Sequence, residues 1–290
     1  MNGILLIDKP AGWTSSDVVA KLRGVLHEKR IGHSGTLDPM ATGLLVLFVG
    51  RATRAVSFAE GHGKRYLASL RLGLTTDTQD VTGTVLETCG ASGITEARLL
   101  AALERFRGEQ RQIPPMYSAV KVGGRKLYQI ARRGGEVERR PRPITVSRLE
   151  LLGREGEDWL LDVACSKGTY VRTLCHDIGQ SLGVGGCLSA LRRTEAGAFR
   201  VGQAHTIDAV IAAAAEGRAE DLLLPLDGLF ADRPAYTADA EAERRVRCGN
   251  PAPLAAPDGE ARLYAPDGSF LALGRVESGV FTTIKSFFEV

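Results

Sequence analysis

The amino-acid sequence predicts an α+β protein, and three observations carry that prediction. At 290 residues the chain has room for roughly two domains of about 100–200 residues each. Segments with helical spacing and segments with strand alternation both occur up to residue 231,. Beyond that point helical periodicity fades. Short alternating runs separated by Asp258-Gly259 and Asp267-Gly268 turns follow, and read as a small β domain over residues 232–290,.

The elements follow in order. Residues 4–7 are an apolar strand leading into a turn at Gly12. A helix is expected over about 14–27, capped by Thr14, with Asp17 in its first turn and one apolar face of Val18, Leu22, Val25 and Leu26,. A glycine-rich loop, 32–43, precedes the buried strand LLVLFV at 44–49. No apolar run approaches the roughly 18–20 residues of a membrane span. Residues 66–73 alternate, with Leu70 and Leu72 on one side, and 84–88 read as another strand. Leu99, Leu103 and Phe106 give a helix over 95–106; 144–151 and 159–165 are strands. Thr169 is placed to cap a helix with Val171, Leu174, Ile178 and Leu182 on one face, stopped by Gly183,. A further helix covers about 207–215.

Composition excludes several classes. Hydrophobic content of 44% and charged content of 24% are those of a globular chain rather than a disordered one,. The N-terminus is not a secretory signal, because Asp8 closes a very short apolar run,. Five cysteines, an odd number with no C-x-x-C pair, argue against a disulfide framework or a zinc site and for a reducing cytosol,. The net charge is only +3, but it is unevenly spread. Over residues 104–148, twelve Lys/Arg face four acids, a local excess of +8, so the rest of the chain sums to −5. Such a block suits a phosphate backbone and equally a solvated surface strip. Gly123-Gly124 and Gly134-Gly135 make it a loop-rich insertion rather than one helix face,.

The loop GHSGTLDPMATGLL, residues 32–45, concentrates chemistry. Three glycines allow close backbone approach to a ligand, and Pro39 stiffens the loop and keeps Asp38 out of helical geometry,. Alone, Asp38 also reads as a turn residue, and His33 as a hydrogen-bonding loop histidine. Alone, Tyr66 and Tyr170 read as core residues rather than pocket ones, Leu191 equally as either, and Arg172 as a surface arginine on a helix.

This loop resembles the catalytic motif of the TruB family, the bacterial tRNA pseudouridine-55 synthases. DKPAGWTSSDVV resembles the family's K-P-x-G-x-T-S box, and KRYLASLRLGLTTDTQDVTG its K-x-Y strand and G-x-x-T-x-T-x-D segment. QIPPMYSAVKVGGRKLYQIARRG, SKGTYVRTLCHDIG and LSALRRTEAG are similar to its P-P-x-Y-S-A-x-K, G-T-Y-x-R and L-x-x-L-R-R boxes. The six motifs lie in order over residues 9–197, about two thirds of the chain. Ser34 stands where the family commonly has Thr, a hydroxyl for a hydroxyl.

The resemblance implies a catalytic domain, 1–231, on a mixed, largely antiparallel sheet flanked by helices, and a PUA-like β domain, 232–290. It implies isomerisation of uridine 55 in the T-loop of elongator tRNAs without cofactor or metal. The N1–C1′ bond breaks, the uracil turns, and C5 joins C1′. It assigns the catalytic aspartate to Asp38, its ionic partner to Arg172, base stacking to Tyr66, and pocket walls to Tyr170 and Leu191. His33 fills the space of the flipped base, Lys9 and Pro10 support the loop, and Lys64 meets phosphate. The basic block, with Arg132, Arg133, Arg139 and Arg140, grips the T-arm, and the C-terminal domain reaches the acceptor stem. The expected form is a cytoplasmic monomer without an obligate protein partner, with a tRNA-folding role beside the chemistry. The competing readings are a guide-RNA-dependent synthase subunit, an RNA-binding module whose chemistry is secondary, and a glycoside hydrolase. The last needs a second carboxylate near Asp38.

Overall fold

The computed structural model describes residues 1–288. Its core is a mixed sheet around which the first two thirds of the chain winds. β1 (Gly3–Lys9), β2 (Ile31–His33), β3 (Thr42–Val49) and β4 (Lys64–Leu72) supply one half with the late strand Gly186–Ala196. A two-stranded hairpin, β5 (Leu74–Thr76) and β6 (Val85–Thr88), stands apart. β7 (Gly108–Gln112) forms the far edge, and β8 (Lys121–Val122) with β9 (Arg125–Lys126) is a second small hairpin. β10 (Arg142–Glu155), β11 (Asp158–Cys165) and β12 (Gly186–Ala196) complete the sheet in the order β1-β3-β12-β4-β11-β10-β7. Every pairing along this path is antiparallel except β12 with β3. That parallel pair brings Arg193 opposite Gly43 at φ +95°, where a Cβ would lie 2.3 Å from the Arg193 carbonyl oxygen, so only glycine fits,.

Helices cover one face. α1 (Ser15–Val25) is capped by Thr14, whose hydroxyl accepts from Asp17 N–H while the Asp17 carboxylate accepts from Thr14 N–H,. After the short α2 (Val56–Glu60), α3 (Glu96–Glu104) starts at a Thr95 cap. α4 (Leu127–Ala131) lies in the basic segment, and α5 (Val171–Ser181) and α6 (Ile207–Ala215) complete the layer. Val18, Leu22, Leu99, Leu174, Ile178 and Val210 pack from these helices onto the sheet. β1 and β3 are buried on both sides, which explains their unbroken apolar sequences. Leu5, Ile7, Leu45 and Leu47 face the helices, while Ile4, Leu6, Leu44 and Phe48 enter a second core.

That second core is shared with the C-terminal sheet. β13 (Phe199–Arg200) pairs with β12. β14 (Ala235–Thr237), α7 (Ala240–Arg247), β15 (Ala252–Pro253), β16 (Gly259–Tyr264), β17 (Phe270–Glu277) and β18 (Val280–Ser286) follow. These strands order β14-β16-β17-β18-β15. Phe230 meets Phe58 edge-on at 5.3 Å and Phe287 at 6.0 Å, and Phe270 stacks on Phe287 at 5.2 Å.

Three local expectations change. The α5 N-cap is Tyr170 and makes no side-chain cap, and Thr169 stands one residue before it. The basic block is not one insertion. Its two ends are the sheet strands β7 and β10, paired from Arg142↔Gln112 to Val146↔Gly108, and only the stretch between them projects. The C-terminal β domain contains a helix, α7, capped by Asp239 and laced by Glu243–Arg247 at 2.7 Å. Among the described residues no helix is long and apolar enough to cross a membrane.

Candidate active site

The residues of the glycine-rich loop, which leads into the interior strand β3, meet the start of α5, which packs on the interior strands β12 and β4. Asp38 sits between β2 and β3 with its side chain 35% exposed, and Arg172 on the first turn of α5 is 6% exposed. Arg172 Nε donates to Asp38 Oδ2 at 2.8 Å and Nη2 to Oδ1 at 3.3 Å, a side-on fork,. The rest of the guanidinium is also occupied. Nη1 donates to the Thr78 carbonyl at 2.7 Å and Nη2 to the Tyr117 carbonyl at 2.8 Å. The carboxylate therefore faces solvent with its counter-charge buried behind it, in a fixed plane.

A second carboxylate, Asp80, lies 3.7 Å from Arg172 Nη1. It is 5% exposed, and its Oδ1 accepts from the Thr78 and Thr82 hydroxyls and from Thr82 N–H. Committed to this turn, it is no free acid across from Asp38, and the described residues do not form the glycoside-hydrolase arrangement. The T-x-T-x-D spacing in the sequence is the signal for this Arg172 support.

Three clamps hold the loop. Lys9, fully buried, donates from Nζ to the carbonyls of Trp13 (2.7 Å), Pro10 (2.8 Å) and Pro39 (3.4 Å). Burial pulls its pKa down to about 8, against the opposing pull of Asp38,. Ser15 Oγ accepts from Leu37 N–H at 2.9 Å and donates to the Leu37 carbonyl at 3.3 Å. Arg193, 2% exposed, donates to the carbonyls of Leu44 (2.6 Å), Gly35 (3.1 Å) and Thr36 (3.5 Å). Sequence reasoning assigns no role to Arg193 or Ser15. The R-R pair of the L-x-x-L-R-R box is the available signal: Arg192 turns outward to Asp8 at 2.7 Å and Arg193 inward.

The other named residues surround this centre unevenly. Tyr66 stands in register between Val163 of β11 and Arg193 of β12, 8% exposed. Burial raises its phenol pKa, partly opposed by Arg193. Leu191 is 8% exposed in the main core with Tyr66, Leu37 and Val171. Tyr170 is half-buried; its N–H donates to Gln112 Oε1 at 2.8 Å, and Gln112 returns a bond to the Tyr170 carbonyl at 3.1 Å. His33 ends β2, with Nδ1 buried and unpartnered among the described residues. Burial and then Arg193 lower its pKa, so the imidazole is neutral at pH 7. Lys64 Nζ is bonded to the His62 carbonyl at 2.7 Å and the Glu60 carbonyl at 3.1 Å, and burial lowers its pKa.

The basic residues divide into two kinds. Arg107 donates to the Leu149 carbonyl at 2.7 Å and Arg148 to Asp162 at 2.7 Å, so both brace the sheet. Arg139 donates to the Pro114 carbonyl at 3.2 Å and to Glu136 at 3.1 Å. Arg132, Arg133 and Arg140 lie at the surface with no carboxylate in ion-pair range among the described residues, and Arg132 lies 5.4 Å over the Tyr128 ring. No group of three or more metal-ligating side chains is found among the described residues, and all five cysteines are free thiols.

Known proteins match this chain over most of its length. The model of the TruB family pseudouridylate synthase N-terminal domain matches residues 23–171, and that of the tRNA pseudouridylate synthase B C-terminal domain matches 172–231. A tRNA pseudouridine synthase B from Aromatoleum aromaticum is 45% identical over 96% of this chain and 89% of its own length. The protein of that name from Mycobacterium tuberculosis is 43% identical over 95% of this chain and 92% of its own. Among solved structures, one of a Cbf5-Nop10-Gar1 complex superposes with a TM-score of 0.74 at 27% identity, covering 99% of this chain and 85% of that one. With the six motifs placed around one Asp–Arg pair and both domain models aligned end to end, the chain belongs to the TruB family of pseudouridylate synthases.

Proposed function

We propose that this chain isomerises uridine to pseudouridine at position 55 in the T-loop of elongator tRNAs. The observation that carries the proposal is the Asp38 carboxylate, one-third exposed and gripped from behind by the buried Arg172. The names of its relatives supply the tRNA class. The N1–C1′ bond breaks and a C5–C1′ bond forms; N1 gains a proton and C5 loses one, so no oxidant or cofactor enters. Asp38 serves as nucleophile at C1′ or as base, and a fixed guanidinium orients it in either role.

The target base leaves its stack at a cost of a few kcal/mol. Stacking on an aromatic ring is worth roughly 1–3 kcal/mol and offsets much of that, a role that falls to Tyr66. Tyr170 and Leu191 wall the pocket. His33, neutral and with Nδ1 unpartnered among the described residues, occupies the space the base leaves. Lys9 and Pro10 support the loop, and Lys64 sits at its rim for phosphate contact. Arg132, Arg133, Arg139 and Arg140 grip the T-arm. The catalytic unit is 1–231 and the C-terminal unit is 232–290, the latter meeting the acceptor stem. The enzyme acts as a cytoplasmic monomer and also assists tRNA folding. The higher identity to tRNA pseudouridine synthase B proteins than to Cbf5 favours action without a guide.

Release of tritium from a 5-tritiated, unmodified elongator tRNA tests this reading. Wild-type protein should release it rapidly and Asp38→Asn should not, with tRNA affinity near normal. Substantial turnover by the variant would falsify the assignment.

A further inference from the structure

We propose that Tyr117 is a positioning residue, whose phenol, bonded to Asp77, fixes Arg172 against Asp38 and ties the basic segment to the reacting centre. The proposal deepens the reading above and rests on it. Arg172 keeps its plane because two backbone carbonyls hold the side of the guanidinium away from the carboxylate. One, from Thr78, belongs to the tight turn that Asp80 organises. The other, from Tyr117, lies in residues 113–120, where Pro114 and Pro115 donate no backbone bond and no helix or strand forms,. A carbonyl in irregular chain stays in place only if neighbouring bonds hold it.

Three bonds do so. Ser118 N–H donates to the Met116 carbonyl at 2.9 Å, closing a small turn around Tyr117. Tyr128 N–H, at the start of α4, donates to the Ser118 carbonyl at 3.0 Å. Tyr117 Oη donates to Asp77 Oδ2 at 3.3 Å. Asp77 is itself anchored, its Oδ1 accepting from Thr84 N–H at 2.7 Å and its own N–H donating to the Thr84 carbonyl at 3.1 Å. Gly83 makes room for this, since a Cβ there would lie 2.4 Å from Asp77 Oδ1. Burial and then the Asp77 charge raise the Tyr117 phenol pKa, keeping it a donor at neutral pH.

Asp77 and Thr78 are adjacent, as are Tyr117 and Ser118. The phenol therefore joins the two segments whose carbonyls grip one guanidinium, and α4, with Tyr128 and Arg132, hangs from the same point. Arg172 Nη2 serves both Tyr117 and Asp38 Oδ1. A shift of the Tyr117 carbonyl moves the nitrogen that faces the carboxylate.

The test compares Tyr117→Phe, Asp77→Leu, Asp77→Asn and the double variant Tyr117→Phe/Asp77→Leu. Single-turnover tritium release from 5-tritiated tRNA gives the rate, filter binding gives the Kd, and thermal melting checks the fold. Tyr117→Phe and Asp77→Leu should each slow the bound step about tenfold, equivalent to about 1.4 kcal/mol, with Kd within twofold. The double variant should be no slower than Asp77→Leu alone, because Asp77→Leu already removes the phenol's partner, together with the acceptor of Thr84 N–H. Asp77→Asn, whose amide can donate to the phenol oxygen, should stay within threefold of wild type. A wild-type rate for Tyr117→Phe, or a defect confined to Kd, overturns the proposal. Activity in Asp38→Asn would instead overturn the function it rests on.

Discussion

Replacing Arg172 by lysine keeps the charge and removes the fork. In the native protein the guanidinium serves four oxygens, two on Asp38 and one each on Thr78 and Tyr117, at 2.7–3.3 Å. An ammonium carries three protons on one atom and cannot face a carboxylate side-on while holding two carbonyls behind it. Asp38 is itself one-third exposed, so the carboxylate does not depend on Arg172 for solvation; the quantity displaced at the reacting centre is its orientation. Removing one preorganised electrostatic contact at a reacting centre typically lowers the rate about 10²–10³-fold, or about 2.7–4 kcal/mol in the barrier. Single-turnover tritium release at saturating enzyme reads that step directly, with melting temperature and tRNA affinity as controls. A rate within threefold of wild type, alongside an inactive Asp38→Asn, would show that charge alone suffices and that the planar fork is dispensable.

Three further outcomes are expected. Phe230→Ala should cost about 3–5 kcal/mol in urea unfolding, since its ring, 2% exposed, joins Phe58 to Phe287; a cost under about 1 kcal/mol would separate the two sheets energetically. Reversing Arg132, Arg133 and Arg140 to Glu should flatten the slope of log affinity against log salt by about 0.7–0.9 for each phosphate no longer neutralised, whereas an unchanged slope returns them to plain surface residues. Burial lowers the Lys9 pKa from 10.5 to about 8, so between those values the unfolded chain binds more protons than the folded one. Stability relative to Lys9→Met should then rise with pH across that window, by at most about 1.4 kcal/mol per unit; parallel unfolding curves from about pH 7.5 to 10 would count against it.

Legibility in the sequence follows the origin of each signal. α1, α3 and α6 are readable because a Thr cap precedes a periodic apolar face, and local hydrogen bonding decides such starts,. β12 is not. It is central in the sheet, yet LSALRRTEA alternates poorly because register shifts fall between Leu188 and Ala190 and between Arg193 and Glu195,. α7 is hidden by its charge: Glu–Arg pairs run along its exposed surface, and the face it buries offers only Ala242 and Val246. Within the site, the Asp38–Arg172 pair can be named from motifs because each lies in its own box. The bonds of Arg193 and Tyr117 cannot be, although both lie in boxes of their own, since they reach chain segments distant in sequence: Arg193 bonds Thr36 and Gly35 across 157 and 158 positions, and Tyr117 bonds Asp77 across 40.

The doubly buried β1–β3 pair sets a constraint on synthesis. Ile4, Leu6, Leu44, Val46 and Phe48 leave the ribosome well before Phe230, Leu273 and Phe287, which cover them. At roughly 5–20 residues per second, the nascent chain carries that apolar face open for on the order of 10–50 s. Its helix-covered side closes earlier, when α6 emerges. The interval between those two events is when the growing polypeptide most needs a chaperone, and a truncation before residue 230 would leave it permanently in that sticky state.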